Sequence, residues 1–450
     1  MKKILVITYF FPPLGGVGVQ RVLKFVKYLP HFGWQPVVLT VRNPDYGLVD
    51  SKLLQDVPAR TKIIRSRTIE PSRIHRFFLR LVEKRRGRSR AKIPVGKTES
   101  GILPAKRLAT RISDFVFLPD NRVGWLPFAL MDILTKLRRE NFDMIFSTSP
   151  PFSAHLVGLI AKLILNRPWV VDFRDLWVLD PRKKPSTRIH LWLSRLMERQ
   201  VLKLGGRILT VLQPLREDLK KAYSDIPWEK FQVIPNGYDA EDFKGENDRL
   251  QKTRLSFGHI GSLSMHEGRT PFHFLTALAD LKREFPELVE GISVFFVGPT
   301  DRSNKEIINQ MVSDFDLGDT VHCIDFVTHS QAVRYMKSFD VLLFLPVRSR
   351  TGAGSSRGSI SGKLYEYLAT GKPILALTED GPVRDIISRS GCDIRVDHDD
   401  LGQIKKEILD CYNKFREGRL RVKPNWNFIR RFERRELTGR LAAMFDELSA

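Results

Sequence analysis

The stretch Ser361-Gly-Lys-Leu-Tyr-Glu-Tyr-Leu-Ala-Thr-Gly-Lys-Pro-Ile-Leu-Ala-Leu377 carries a helix, a stop and a strand in direct succession. Leu364, Tyr367 and Leu368 recur three and four residues apart, the spacing of one apolar helix face. Lys363 and Glu366 fall near the start of that helix, Gly371 sits where a C-terminal stop is needed, and Pro373 forbids continuation. Pro373 to Leu377 is then a short apolar run suited to the centre of a parallel sheet. Ahead of the helix, Thr351-Gly-Ala-Gly-Ser-Ser-Arg-Gly-Ser-Ile360 offers backbone amides that, backed by a helix N-terminus, suit a diphosphate. A carboxylate beside such a site suits the hydroxyls of a ribose. The plainer alternative is a flexible loop before an ordinary amphipathic helix, with Lys363 and Glu366 pairing across one turn.

Working outward, the same strand and helix alternation runs through the chain. Ile4 to Phe10 reads as a buried strand, Pro12 to Gly18 as a glycine loop, and Val19 to Leu29 as a helix stopped at Gly33. This order opens a doubly wound α/β domain. Gly16-Val-Gly18 has the start of a dinucleotide fingerprint, but Arg21 stands at the third glycine position, which argues against NAD. Further strands are expected at 35–41, 143–148, 169–177 and 207–211, and the segment 231–239 closes the domain. The charged segment 241–253 reads as a linker. A second domain follows, with strands expected at 255–260, 292–298, 321–327, 341–347, 373–377 and 392–396, and a final helix over 426–448. The expected division is 1–245, 254–424 and 425–450, and the expected fold class is two doubly wound Rossmann-like α/β domains.

Several side chains stand where such folds place chemistry. Asp172, Arg174 and Asp175 close the strand Trp169-Val-Val-Asp-Phe-Arg-Asp-Leu-Trp177, and carboxyl ends of parallel strands face the ligand crevice. Either carboxylate can accept a proton from a hydroxyl, with Arg174 orienting its neighbours; Asp172 can equally be a buried partner of Arg174. His155 is a weaker candidate, because a histidine at a helix start is more often a structural hydrogen bonder. Arg269, near the expected start of a helix over 270–285, offers a guanidinium suited to a diphosphate. No grouping of His, Cys or carboxylates has metal spacing, so no metal is expected.

The sequence has 450 residues, too many for one compact core, and a net charge of +23. From Arg60 to Arg111 there are 17 Lys or Arg against 3 Asp or Glu, so more than half of the net charge is concentrated there. Arg73 to Arg86 sets Ile74, Phe77, Phe78, Leu81 and Val82 at helical spacing among arginines, a pattern suited to an anionic membrane surface. The charge would also suit nucleic acid, but no zinc spacing, stacking motif or helix-turn-helix pattern accompanies it. Three scattered cysteines, Cys323, Cys392 and Cys411, fit a reducing cytoplasm. No apolar run approaches the ~20 residues of a membrane span.

Taken in order, PPLGG, FRDLW, VIPNGYD, IGSL and KLYEYLATGKP resemble the motifs of family 4 (group 1) glycosyltransferases of the GT-B fold. The resemblance spans nearly the whole chain and implies two domains facing each other across a cleft, with a C-terminal helix crossing back to the first. It implies a retaining transfer from a nucleotide diphosphate sugar to a hydroxyl acceptor, with no cofactor beyond that donor. Glu366 matches the second Glu of the family's paired-Glu motif, which holds the ribose; the position of the first is Gly358. Arg269 and Lys363 would steady the diphosphate, and Gly15 and Gly16 would belong to the cleft-lining first loop. With the basic insert at about 60–111, the expected acceptor is a glycan or lipid-linked glycan of the cell envelope, as in lipopolysaccharide synthesis, met by a cytoplasmic enzyme peripheral to the inner membrane face. The rivals are a nucleotide-sugar 2-epimerase, a sugar-nucleotide binder without turnover, and a nucleic-acid-directed protein.

Overall fold

The computed structural model describes residues 1–70, 118–180, 187–245, 253–264, 268–300, 302–347 and 360–449. The basic helix expected at 73–86, most of the insert around it, and the loop containing Gly358 lie outside those residues.

Two compact units are formed, Met1–Ile234 with Gly439–Ala450, and Pro235–Thr438. In the first, β1 (Lys2–Ile7), β2 (Trp34–Val41), β3 (Lys62–Ser66), β4 (Met144–Ser149), β5 (Trp169–Phe173), β6 (Arg207–Thr210) and β7 (Phe231–Val233) make one sheet in the order β3-β2-β1-β4-β5-β6-β7. Every pairing is parallel. Such strands are covered on both faces, so they read as continuous apolar runs, and Leu5, Ile7, Val37, Ile145, Trp169 and Val171 are buried in one core. Removing a fully buried side chain of this size from water contributes roughly 1.5–3 kcal/mol.

The second unit repeats the pattern with β8 (Leu255–Ile260), β9 (Ile292–Val297), β10 (Val321–Ile324), β11 (Val341–Phe344), β12 (Ile374–Leu377) and β13 (Asp393–Val396), in the order β10-β9-β8-β11-β12-β13. Both sheets therefore reverse direction beside their first strand, between β1 and β4 and between β8 and β11. Ligands of open α/β sheets bind outside the carboxyl ends of strands at such points.

Three differences from the sequence expectations have local causes. The basic insert does not begin at 60, because Lys62–Ser66 is the edge strand β3, whose Ile64 and Ser66 are buried while Lys62 faces solvent. Charged residues are how sheet edges avoid pairing with other chains, and they masked the strand. Residues 235–245 belong with the second unit: Tyr238 donates its amide to the Phe432 carbonyl at 3.0 Å, and Lys337 Nζ reaches the Gly245 carbonyl at 2.7 Å.

The final helix is also interrupted. Trp426–Ile429 and a tight turn at Arg430–Phe432 precede Glu433, which is extended at φ −67° and ψ 135°, before the helix Arg434–Ser449. That last helix starts in the second unit and ends in the first, where Phe445 packs on Trp34 and Lys2 pairs with Asp446 at 2.9 Å.

Candidate functional site

In the second unit, the helix Gly362–Thr370 is capped by Ser361, whose Oγ accepts from the Lys363 amide at 3.3 Å. Gly371 ends it in the left-handed region at φ 65°. The cap brings Lys363 Nζ within 2.9 Å of a Glu366 carboxylate oxygen. Glu366 is buried, and His329 Nδ1 stands 3.9 Å from its other oxygen. Burial alone would raise this carboxyl, but Lys363, His329 and Arg434 outweigh it and hold the group below the usual carboxylate range. An ionised acceptor is thus kept midway along the helix. His329 is itself oriented, with Nε2 3.1 Å from Asp242 Oδ2.

The same helix supports the end of β8. Tyr367 Oη accepts from the Ile260 amide at 2.7 Å, just before the Gly261 turn. Gly298, at the end of β9 with φ +146°, has no room for a side chain: an added Cβ would lie 2.5 Å from the Gly261 carbonyl oxygen. This close approach of two backbones is available only to glycine. Arg269 is drawn back over the turn, because its backbone pairs with Ser264 at 2.9 and 3.0 Å and its Nη1 donates to the Ser262 carbonyl and Oγ at 3.2 Å each. The helix after it runs Phe272–Glu284, so Arg269 precedes the helix rather than opening it.

His259, which sequence reasoning did not single out, completes this end of the sheet. Its Nδ1 is 3.1 Å from the Leu343 carbonyl, which can only accept, so Nε2 is left as a bare acceptor. Nε2 is buried and has no hydrogen-bond partner among the described residues. An added Cβ on Gly261 would lie 3.4 Å from it. Burial, with the nearby charges of Arg269 and Lys363, pushes this imidazole down to about 4 against the opposing backbone bond. The ring therefore stays neutral at physiological pH.

In the first unit the candidates separate into different roles. Asp172 is fully buried and its oxygens accept from Arg21 Nε at 3.0 Å, Arg21 Nη2 at 2.8 Å and Thr148 Oγ1 at 2.7 Å. Burial acts to raise this carboxyl, but Arg21 and Thr148 outweigh it and hold it low. A saturated carboxylate of lowered basicity is a poor proton acceptor, so the catalytic expectation for Asp172 is corrected to a structural one. Its partner is Arg21 rather than Arg174. Arg21 also donates to the Ile234 carbonyl at 2.9 Å, tying the first helix, Val17–Tyr28, to the far end of the unit.

Arg174 is likewise a clamp rather than a charge aimed at a ligand. It donates to the carbonyls of Ser149, Gly18 and Pro150 at 2.7, 2.5 and 2.8 Å, joining the loop after β4 to the start of the first helix. Asp175 is half-buried beside it. His155 lies in the first turn of Ser153–Leu165, fully buried, with Nδ1 2.9 Å from Ser147 Oγ and its ring against Phe173. Burial is the chief cause pushing it down to about 3, so this candidate is corrected to a neutral core residue. Gly15 donates to the Leu48 carbonyl at 2.9 Å, and Gly16, at φ +88°, leads into the first helix with Tyr46 Oη 3.0 Å from where a Cβ would be.

Two parallel doubly wound units, one carrying a glycine-bounded cationic site with a buried carboxylate, define a GT-B glycosyltransferase. Two family models match, Glycosyltransferase Family 4 over residues 95–242 and Glycosyl transferases group 1 over residues 255–414, about two thirds of the chain together. The chain belongs to the family 4, group 1 glycosyltransferases. No curated protein sequence is a significant match. Among solved structures, Anabaena HepE in complex with UDP and glucose is similar at 14% identity and TM-score 0.66, covering 100% of both chains. Sucrose-phosphate synthase from Thermosynechococcus elongatus is similar at 14% identity and TM-score 0.65, covering 100% of this chain and 99% of that one. WaaG, a glycosyltransferase involved in lipopolysaccharide biosynthesis, is similar at 14% identity and TM-score 0.53, covering 98% and 99%. At these identities the likeness concerns the fold.

Proposed function

We propose that this glycosyltransferase moves a sugar, with retention of configuration, from a nucleotide diphosphate sugar to a hydroxyl of an envelope glycan or lipid-linked glycan. The observation that carries the donor side is Glu366, held ionised by Lys363, His329 and Arg434 midway along the helix whose next residue, Tyr367, bonds Ile260 just before the Gly261 turn. In this reading Glu366 accepts from the ribose hydroxyls, and Arg269 and Lys363 balance the diphosphate as it leaves. The departing diphosphate oxygen helps to take the acceptor proton from the same face. Asp175 is the first-unit carboxylate assigned to the acceptor, with Gly15 and Gly16 shaping the adjoining loop. Because HepE is described with UDP and glucose, UDP-glucose is the first donor to try.

Envelope synthesis at an anionic membrane is supported by the charge of +23, and no described helix is long and apolar enough to cross a bilayer. Gly358, at the family's first-Glu position, is the one feature that favours a binder without turnover. The test is a thermal-shift panel of UDP-, GDP- and ADP-sugars on the wild type and Glu366→Ala, followed by transfer of the stabilising sugar to lipid-linked acceptors. Stabilisation confined to the wild type, followed by a glycosylated product, supports the reading. Stabilisation without transfer or hydrolysis favours the binder, an isomerised sugar favours the epimerase, and no shift in either protein refutes the donor site.

A further inference from the structure

The helix Arg188–Leu204 in the first unit presents an outer face unlike that of an ordinary surface helix. Its N-cap is Thr187, and its inner side is seated by buried His190, Val201 and Leu202. At about 100° per residue, Ile189, Trp192 and Leu196 fall in one strip on the opposite side. They are 65%, 63% and 42% exposed. Surface helices normally turn charged or polar residues to water at such positions, and a large aromatic ring left there is costly in a purely aqueous setting.

The charges beside the strip have one sign. Arg188, Arg195, Arg199 and Lys203 lie along its flank, all exposed. The helix's single acid, Glu198, is fully buried, so its exposed positions include no acidic residue. Arg199 and Lys203 lean towards Asp225 at 2.8 and 3.8 Å, whereas Arg188 and Arg195 have no ion pair among the described residues.

We propose that this helix is a docking surface for an anionic lipid bilayer. It lies in the plane of the interface, with Ile189, Trp192 and Leu196 entering the headgroup region and Arg188 and Arg195 meeting lipid phosphates. An apolar strip bordered by cations is the chemistry an anionic interface recognises, and the indole of tryptophan suits the boundary between acyl chains and headgroups. The arginines select for anionic lipid, while the apolar strip supplies attraction that salt does not screen. This inference rests on the reading of the protein as peripheral to a membrane and assigns that contact to a helix distinct from the basic segment at 60–111.

The test uses the full chain with vesicles of phosphatidylcholine alone or mixed with phosphatidylglycerol, read by co-sedimentation and by quenching of tryptophan emission with brominated lipid. The wild type is expected to partition to the mixed vesicles. The triple variant Ile189→Ser, Trp192→Ser, Leu196→Ser is expected to lose about a hundredfold in partition. The pair Arg188→Ser, Arg195→Ser is expected to lose about tenfold and most of the preference for anionic lipid. Circular dichroism and melting temperature, with exposed Met131→Ser as a control, check that the fold is kept. A folded triple variant that binds like the wild type overturns the helix assignment while leaving membrane association to another surface. A wild type that ignores the mixed vesicles overturns both. A wild-type dimer that the triple variant converts to monomer, with unchanged lipid binding, assigns the face to a second copy and overturns the proposal.

Discussion

Replacing Asp172 by Asn tests whether this carboxylate is scaffold or catalyst. The change keeps the shape but removes a charge that is 0% exposed, opposite a guanidinium that is 1% exposed. The side chain now accepts from three donors, two on Arg21 and one on Thr148. An amide has one acceptor oxygen, and its nitrogen would turn a donor towards a donor. Arg21 would keep its bond to the Ile234 carbonyl but lose the carboxylate that faces its buried charge. Breaking a buried pair from one side costs about 3–5 kcal/mol, a large fraction of the stability of an ordinary domain. The melting temperature should fall by on the order of 10 °C.

Removing both partners, with Arg21→Met and Asp172→Leu, should recover more than half of that loss, because the buried charge disappears with its counter-ion. The pH dependence follows from the lowered carboxyl. Its contribution is present above the unfolded carboxylate range, near pH 4, and is lost as pH falls through the lower folded value. The gap between wild type and Asp172→Asn should therefore stay constant from pH 8 to 5 and close only in stronger acid. Chemical denaturation gives the stabilities, and transfer rates are compared per folded molecule. A variant as stable as the wild type but slowed about a thousandfold would refute the structural assignment and restore Asp172 as a base.

Other outcomes follow from the same geometry. His155 and His259 are held neutral in the fold, pushed down to about 3 and about 4, so the unfolded chain binds more protons below its ordinary histidine range. Stability contributed by each is full above pH 6.5 and should decline by about 2 kcal/mol at pH 5, a decline that His155→Phe or His259→Phe should remove from denaturation curves of the corresponding unit. Gly298→Ala should disturb the turn at the ends of β8 and β9, since its Cβ would lie 2.5 Å from the Gly261 carbonyl; loss of the nucleotide-induced thermal shift is the expected reading, and an unchanged shift would remove that turn from the site. Because Arg269 and Lys363 are proposed to balance the diphosphate, transfer should persist in EDTA but fall at least about tenfold in Arg269→Gln; abolition by EDTA and rescue by a divalent cation would contradict this.

What local sequence determined is what local physics controls. Apolar runs bounded by glycine and proline mark most strands of both sheets, and the three- and four-residue spacing of Leu364, Tyr367 and Leu368 marks the helix that carries Glu366, because hydrophobic period and backbone freedom act over a few residues. Glycine stops such as Gly371 are legible for the same reason. Tertiary structure alone decided the partners. Arg21 meets Asp172 across 151 positions of sequence, and His329 and Arg434 reach Glu366 from separate segments, through contacts that no local spacing encodes. The break at Glu433 and the basic edge strand β3 were hidden because backbone pairing with Tyr238 and a place at the sheet edge overrode local pattern. Whether a carboxylate or imidazole is free to do chemistry depends on how thoroughly the fold surrounds it. That separates Glu366, still 9% exposed, from Asp172 and His155, both fully enclosed in the core.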